Sequence, residues 1–180
     1  MPRIAIVGAT ATGLYASDLL MRCATQIPGI SPARKLHIDI LDPAAAPLSV
    51  STSAQVANAS TPHSPQPVLA TVRLLGNVQI GSNITNTGLN SAELPLLYDA
   101  VLYTQPSTNY TEQAISHEVA QLVYQLQAQE FHPVIDVANI LAQRNVVHTT
   151  WENPLKLPTT WNLAQWEAAI HAAHGAPICF

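Results

Sequence analysis

Two glycines near the start of the chain have the spacing of a nucleotide-binding turn. Gly8 follows the apolar run Ile4–Val7, and Gly13 opens an apolar helical pattern. A strand, a tight turn and a helix in this order bring backbone N–H groups and a helix N-terminus to one point, which suits the pyrophosphate of a dinucleotide. The pattern G-x-G-x-x-G has a middle glycine where this chain has Thr10. Dinucleotide binding and a plain strand-to-helix turn therefore both remain open.

An acidic residue ends the next apolar run. Residues 26–35 form a connection that contains proline and glycine, Leu36–Leu41 has the pattern of a strand, and Asp42 closes it before Pro43. In dinucleotide-binding βαβ units, a carboxylate at the end of the second strand binds a ribose hydroxyl. An acid before a proline is also a common turn residue. Asp42 is therefore interpreted either as a ribose-binding residue or as a turn residue.

The rest of the chain alternates between strand and helix patterns, as in an α/β protein. Residues 43–67 hold five prolines and no charged residue, which indicates a loop. Residues 88–97 are rich in turn residues, and residues 146–150 fit no single pattern. The predicted strands are Val72–Leu75, Val78–Ile80 and Tyr98–Tyr103. The predicted helices run from Thr111 to about Gln129, from Val134 to Arg144, and from Leu163 to Gly175, with Thr111 as an N-cap.

The composition argues against two classes of partner. The chain is 48% hydrophobic and only 10% charged, with a net charge of -4 and no basic stripe. Nucleic acids and anionic membrane surfaces are bound by clustered basic residues, so neither is expected as a partner. No apolar run has the length of a membrane span, and Met1–Arg3 leads directly into a predicted strand, with no secretion signal. We therefore expect a cytoplasmic protein.

The cysteines and histidines do not have the spacing of a metal site. Cys23 and Cys179 have no C-x-x-C partner, which argues against a zinc ribbon or a redox pair. Cys23 is predicted to be a buried small hydrophobic residue and Cys179 a free thiol, with a disulfide between them as the less favoured alternative. His171, His174 and Cys179 are close in sequence, but no carboxylate joins them. No metal is expected.

Several segments together resemble the FAD domain of adrenodoxin-reductase-like ferredoxin–NADP reductases. Ile4–Leu20 is similar to that family's first strand, glycine turn and helix, and Leu36–Pro47 is similar to its second strand. Arg73–Gly81 followed by Leu97–Tyr103 is the most specific match, since two characteristic strands of the family occur in the same order. Residues 107–180 resemble the family's C-terminal part more loosely.

The resemblance implies a fold, a cofactor and a set of contacts. The fold is a Rossmann-like three-layer FAD/NAD(P)-binding α/β domain with a central parallel sheet and a C-terminal helical tail. A single domain over residues 1–180 is formed by halves 1–105 and 107–180, and the family's NADP domain, inserted between these halves, is missing here. FAD is the implied cofactor. Its pyrophosphate is expected at Gly8, Ala9, Thr10 and Gly13, its ribose at Asp42, and its adenine near Leu75, Gly76 and Asn77.

The chain also departs from the family's pattern. Thr10 puts a side chain where a glycine lets the backbone approach the pyrophosphate. Residues 48–58 lack the arginine and the Asp-His pair that the family has near the flavin, and no second glycine fingerprint remains for NADPH. Conventional reductase activity is not expected from this chain alone, and no catalytic residue is predicted.

Three functions remain open after the sequence analysis. The first is a degenerate module that binds FAD or another dinucleotide. The second is a pseudoenzyme without cofactor that acts as a structural or interaction subunit, with a protein partner or as a homodimer. The third is a flavoprotein oxidoreductase that an external donor reduces.

Overall fold

The computed structural model describes residues 1–44, 69–84, 88–104, 111–128, 130–131, 133, 135–152 and 161–175. Most of the predicted loop at 43–67, the segment at 107–109 and Cys179 lie outside these residues. The strands are β1 (Arg3–Val7), β2 (Leu36–Leu41), β3 (Ala70–Gly76), β4 (Gln79–Gly81), β5 (Gly88–Asn90), β6 (Ala100–Tyr103) and β7 (Thr149–Glu152). The α-helices are α1 (Ala11–Cys23), α2 (Leu94–Leu97), α3 (Glu112–Gln127), α4 (Val137–Gln143) and α5 (Leu163–Gly175).

Five strands form the central sheet, in the order β6-β1-β2-β3-β7. The first four are parallel, and β7 pairs with β3 in the antiparallel direction. The chain adds β2 and β3 on one side of β1 and then places β6 on the other side. The strand order therefore reverses at β1, and a crevice is expected between the carboxyl ends of β1 and β6, where open α/β sheets bind their ligands.

Helices cover one face of this sheet, and a second apolar layer covers the other. Ile4, Ile6, Ile38 and Ile40 face α1, α3 and α5, and Trp166 of α5 is fully buried in this cluster. Alternate residues such as Ala5, Val7 and Leu41 face a second cluster with Val137 and Leu141 of α4. Strands buried on both faces are typical of parallel sheets inside α/β proteins. The predicted α/β class with a Rossmann-like central sheet is confirmed, but the sheet is mostly and not wholly parallel, because β7 joins β3 in the antiparallel direction.

Several elements differ from their predictions. The strand predicted over 98–103 begins only at Ala100. It is an edge strand of the described sheet, and Tyr103 in it is 46% exposed. The strand predicted over 78–80 is β4, which pairs with β5 in a separate two-stranded parallel sheet. Cys23 is only half-buried, because it is the last residue of α1 and borders a groove between α1 and α3. Residues 146–150 contain the start of β7.

A buried ionic network crosses the second face of the sheet. Asp39 of β2 is 3% exposed. Its carboxylate accepts hydrogen bonds from Arg73 Nε (2.8 Å) and Nη2 (2.9 Å), from Arg3 Nη2 (3.1 Å) and from Tyr98 Oη (2.9 Å). Burial and the Asp39 carboxylate together raise the pKa of Tyr98 well above its usual range. Arg73 also donates to Asp136, the N-cap of α4, and so connects this helix to the sheet.

Candidate functional site

The turn after β1 has a backbone conformation that favours glycine. Gly8 has a φ of +110°, which side chains with a Cβ rarely adopt. Its N–H donates to the carbonyl of Leu41 at 2.8 Å, so the turn is held against the end of β2. The glycine predicted from the sequence is therefore required by the path of the backbone, whether or not a ligand binds.

Helix α1 begins at this turn, and its first turn packs tightly on Gly8. Thr10 is the N-cap, and its hydroxyl oxygen accepts a hydrogen bond from the Gly13 N–H at 3.2 Å. The same hydroxyl donates to the carbonyl of Thr104 at 3.1 Å. A Cβ on Gly13 would lie 2.1 Å from the Gly8 carbonyl oxygen. Gly13 thus permits close packing of helix and strand, which is one of the roles of glycine in dinucleotide-binding turns.

Asp42 connects the end of β2 to the same turn. Its side chain is almost entirely buried, and Oδ2 accepts the N–H of Ala9 at 2.6 Å. Oδ1 accepts the N–H of Ala44 at 2.8 Å. These two contacts account for an acid at this position without any ligand. The ribose-binding role stays a prediction, in which a ribose hydroxyl would share a carboxylate that already binds the backbone.

The segment Leu75–Asn77 lies beside Asp42. The Asp42 N–H donates to the carbonyl of Leu75 at 3.0 Å, and the Asn77 N–H donates to the carbonyl of Ala44 at 2.9 Å. Asn77 has a φ of +61°, in the left-handed region that asparagine tolerates better than most residues. Gly76 is buried between them at the end of β3. The predicted adenine-side residues are therefore next to the predicted ribose-side acid.

Thr104, the residue that follows β6, belongs to this site although it was not predicted from the sequence. Thr104 is 1% exposed, and its N–H donates to the carbonyl of Val7 at 2.9 Å. Its hydroxyl lies 3.0 Å from the carbonyl oxygens of both Val7 and Gly8. The available signal was a polar residue directly after the apolar run Ala100–Tyr103. Thr104 fixes the turn from the β6 side of the crevice, as Asp42 fixes it from the β2 side.

All eight predicted residues therefore lie at the carboxyl edge of β1, β2 and β3. Direct hydrogen bonds connect the turn to Asp42, and Asp42 to the segment Leu75–Asn77. The arrangement presents backbone donors, a carboxylate and a helix N-terminus, which are groups that bind and orient a nucleotide. No residue at this edge is assigned a catalytic role.

Neither a cluster of metal ligands nor a membrane-spanning helix occurs among the residues that the structure describes. The described residues contain no cluster of three or more His, Cys, Asp and Glu side chains that is arranged to hold a metal ion. His171 is exposed on α5, whereas the side chain of His174 lies outside the description. Of the described helices, none is both long enough and apolar enough to cross a membrane.

The strand order and the turn at its reversal define an α/β protein with a Rossmann-like sheet. No protein-family model matches the chain, and no curated protein matches it. Among solved structures, a mutant of FprA from Mycobacterium tuberculosis is similar, with 22% identical residues and a TM-score of 0.37, over 62% of this chain and 24% of that chain. The chain thus spans about a quarter of that protein.

Proposed function

We propose that this chain is a binding module for an adenine dinucleotide, with FAD as the first candidate, and that it does not oxidise NADPH alone. The observation that carries the proposal is the hydrogen bond from the Ala9 N–H to Asp42. It joins the glycine turn to the predicted ribose-binding acid beside the crevice of the sheet. The resemblance of Arg73–Gly81 and Leu97–Tyr103 to FAD-domain strands adds support for FAD.

The residues fit the two parts of such a cofactor to different degrees. On the ribose side, the Asp42 carboxylate and the backbone of Gly76 and Asn77 lie together at the strand ends. On the pyrophosphate side, the Thr10 hydroxyl already accepts the Gly13 N–H. A bound FAD would supply redox chemistry, whereas the residues described here would only bind and orient it. We therefore expect weak binding, as in a degenerate site.

A second candidate is a structural or interaction subunit without cofactor. The hydrogen bonds of Thr10 to Gly13 and Thr104, and that of Asp42 to Ala44, favour it, because they satisfy polar groups that a nucleotide would otherwise bind. The two candidates differ in one measurable property, which is saturable binding of FAD.

FAD binding is tested by titration of the purified full chain, with visible flavin absorbance after gel filtration and thermal unfolding as the two readouts. At a free FAD concentration about 100 times the Kd, binding adds about 2.7 kcal/mol to the free energy of unfolding. For a chain of this size that corresponds to a rise of about 5–11 °C in Tm. Absence of both signals at millimolar FAD would leave the cofactor-free subunit as the function.

A matched pair of variants separates binding at this site from binding elsewhere. Thr12→Glu and Gln113→Glu each add a carboxylate at the second position of a helix, in α1 and α3 respectively. An acid in the first turn favours helix formation in both cases. Only Thr12 lies at the proposed site, so Thr12→Glu should weaken FAD binding about tenfold or more by charge repulsion. Gln113→Glu should leave the affinity unchanged.

A further inference from the structure

We infer that Thr10 and Thr104 hinder the approach of a diphosphate to the first turn of α1, so that the proposed site binds a dinucleotide chiefly through its adenosine half and gains no affinity from the diphosphate. We call two hydrogen bonds of the Thr10 hydroxyl the threonine bridge. In one the hydroxyl donates to the Thr104 carbonyl, and in the other it accepts the Gly13 N–H. The inference rests on the proposed function, and it identifies Thr10 as the residue that sets ligand specificity.

The Thr10 hydroxyl occupies a hydrogen-bonding position that a phosphate oxygen would otherwise take. The first N–H groups of an α-helix have no partner within the helix, and in nucleotide sites they bind phosphate. Here the Gly13 N–H is bound by Thr10 at 3.2 Å, and the hydroxyl proton is used by the Thr104 carbonyl at 3.1 Å. An uncharged oxygen of the chain itself thus caps the helix.

Thr104 makes the bridge rigid on its other side. Its N–H and hydroxyl both bind the end of β1, and its side chain is fully enclosed. The Thr104 carbonyl cannot move with Thr10 unless the contacts between β6 and β1 also break. The bridge therefore connects the carboxyl ends of β1 and β6, between which the strand order reverses. The diphosphate of a bound ligand would pass at this place.

A diphosphate can reach the Gly13 N–H only after the Thr10 hydroxyl has left it. Two neutral hydrogen bonds are then lost, which should weaken binding by about 30-fold, or about 2 kcal/mol at 1.4 kcal/mol per tenfold. Adenosine has no phosphate and needs no such rearrangement. We expect ADP to bind the wild-type chain no more tightly than adenosine does.

The experiment compares the Kd values of adenosine and ADP, by NMR titration, for the wild type, Thr10→Ser, Thr10→Gly and Thr111→Gly. Thr10→Gly removes the bridge and should tighten ADP binding about 30-fold without changing adenosine binding. Thr10→Ser keeps the hydroxyl and should behave as the wild type. Thr111 caps α3 with the same geometry, since it accepts the Ala114 N–H at 3.2 Å, so Thr111→Gly is the matched control and should change neither affinity.

Two results would overturn the inference while the proposed function stands: a wild-type chain that binds ADP many times more tightly than adenosine, or a Thr10→Gly variant with an unchanged ratio of the two Kd values. The wild-type ratio tests the inference even if Thr10→Gly fails to fold. If none of the four proteins binds adenosine or ADP, the proposed function fails, and the inference fails with it.

Discussion

Gly13→Ala tests the close approach of α1 to the turn after β1. The new Cβ would lie 2.1 Å from the Gly8 carbonyl oxygen and 2.9 Å from the Thr104 hydroxyl, well inside the 3.4 Å at which ordinary contact begins. Because the nearest atom belongs to the backbone, no rotamer change relieves the clash. Overpacking of this kind costs about 3 kcal/mol, and the better helix propensity of alanine returns about 1 kcal/mol. The net loss of about 2 kcal/mol should lower Tm by about 4–8 °C.

The assay is thermal unfolding followed by circular dichroism, with Gly29→Ala as the control. Gly29 is an exposed turn residue with a φ of +79°, and a Cβ there would lie 3.7 Å from Arg34 Nη1. This variant has backbone strain without a clash. The strain lowers the free energy of unfolding by about 1 kcal/mol, which lowers Tm by about 2–4 °C. A Gly13→Ala protein that melts at or above the Gly29→Ala protein would refute the close packing of α1 on Gly8.

Two further variants test the contacts of Asp42 and His37. Asp42→Asn should lower the free energy of unfolding by about 1–3 kcal/mol, because the N–H groups of Ala9 and Ala44 bind different oxygens of the carboxylate and the amide NH2 group would face one of them as a second donor; an unchanged urea midpoint would contradict this. Burial lowers the pKa of His37 below its usual 6.5, so the unfolded chain takes up a proton that the folded chain resists, and stability should fall as the pH drops below 6.5. In His37→Gln, the urea midpoint should fall less steeply than in the wild type as the pH drops below 6.5. An identical dependence on pH in both proteins would contradict the lowered pKa of His37.

Local patterns predicted the elements that position the site. The apolar run into Gly8 predicts β1 and its turn, and Thr111 before an apolar face of period 3.6 predicts the start of α3 at its observed N-cap. These signals lie within a few residues of the structure that they determine. The carboxyl ends of parallel strands meet at one edge, so the meeting of Asp42 with the turn also follows from the pattern once the strands are known.

Contacts between distant residues were beyond such patterns. Asp39 stands in an apolar strand, and its burial depends on Arg73 and Tyr98, which come much later in the chain. The antiparallel pairing of β7 with β3 has no local signal, because residues 146–150 have no clear period. The contact between Thr104 and the turn at Gly8 also joins residues that are distant in the chain, so the sequence near Thr104 does not show which residue it binds.

The buried Asp39 also determines which residues of β2 and β3 pair with each other. Asp39 lies opposite Arg73, and side chains alternate between the two faces of a strand. A shift of β3 by one residue would place Val72 or Leu74 opposite Asp39 and turn Arg73 toward the apolar helices. Breaking a buried ion pair in this way costs about 3–5 kcal/mol. The network therefore favours the observed register of β2 and β3 over registers shifted by one residue. Apolar residues alone would tolerate several registers.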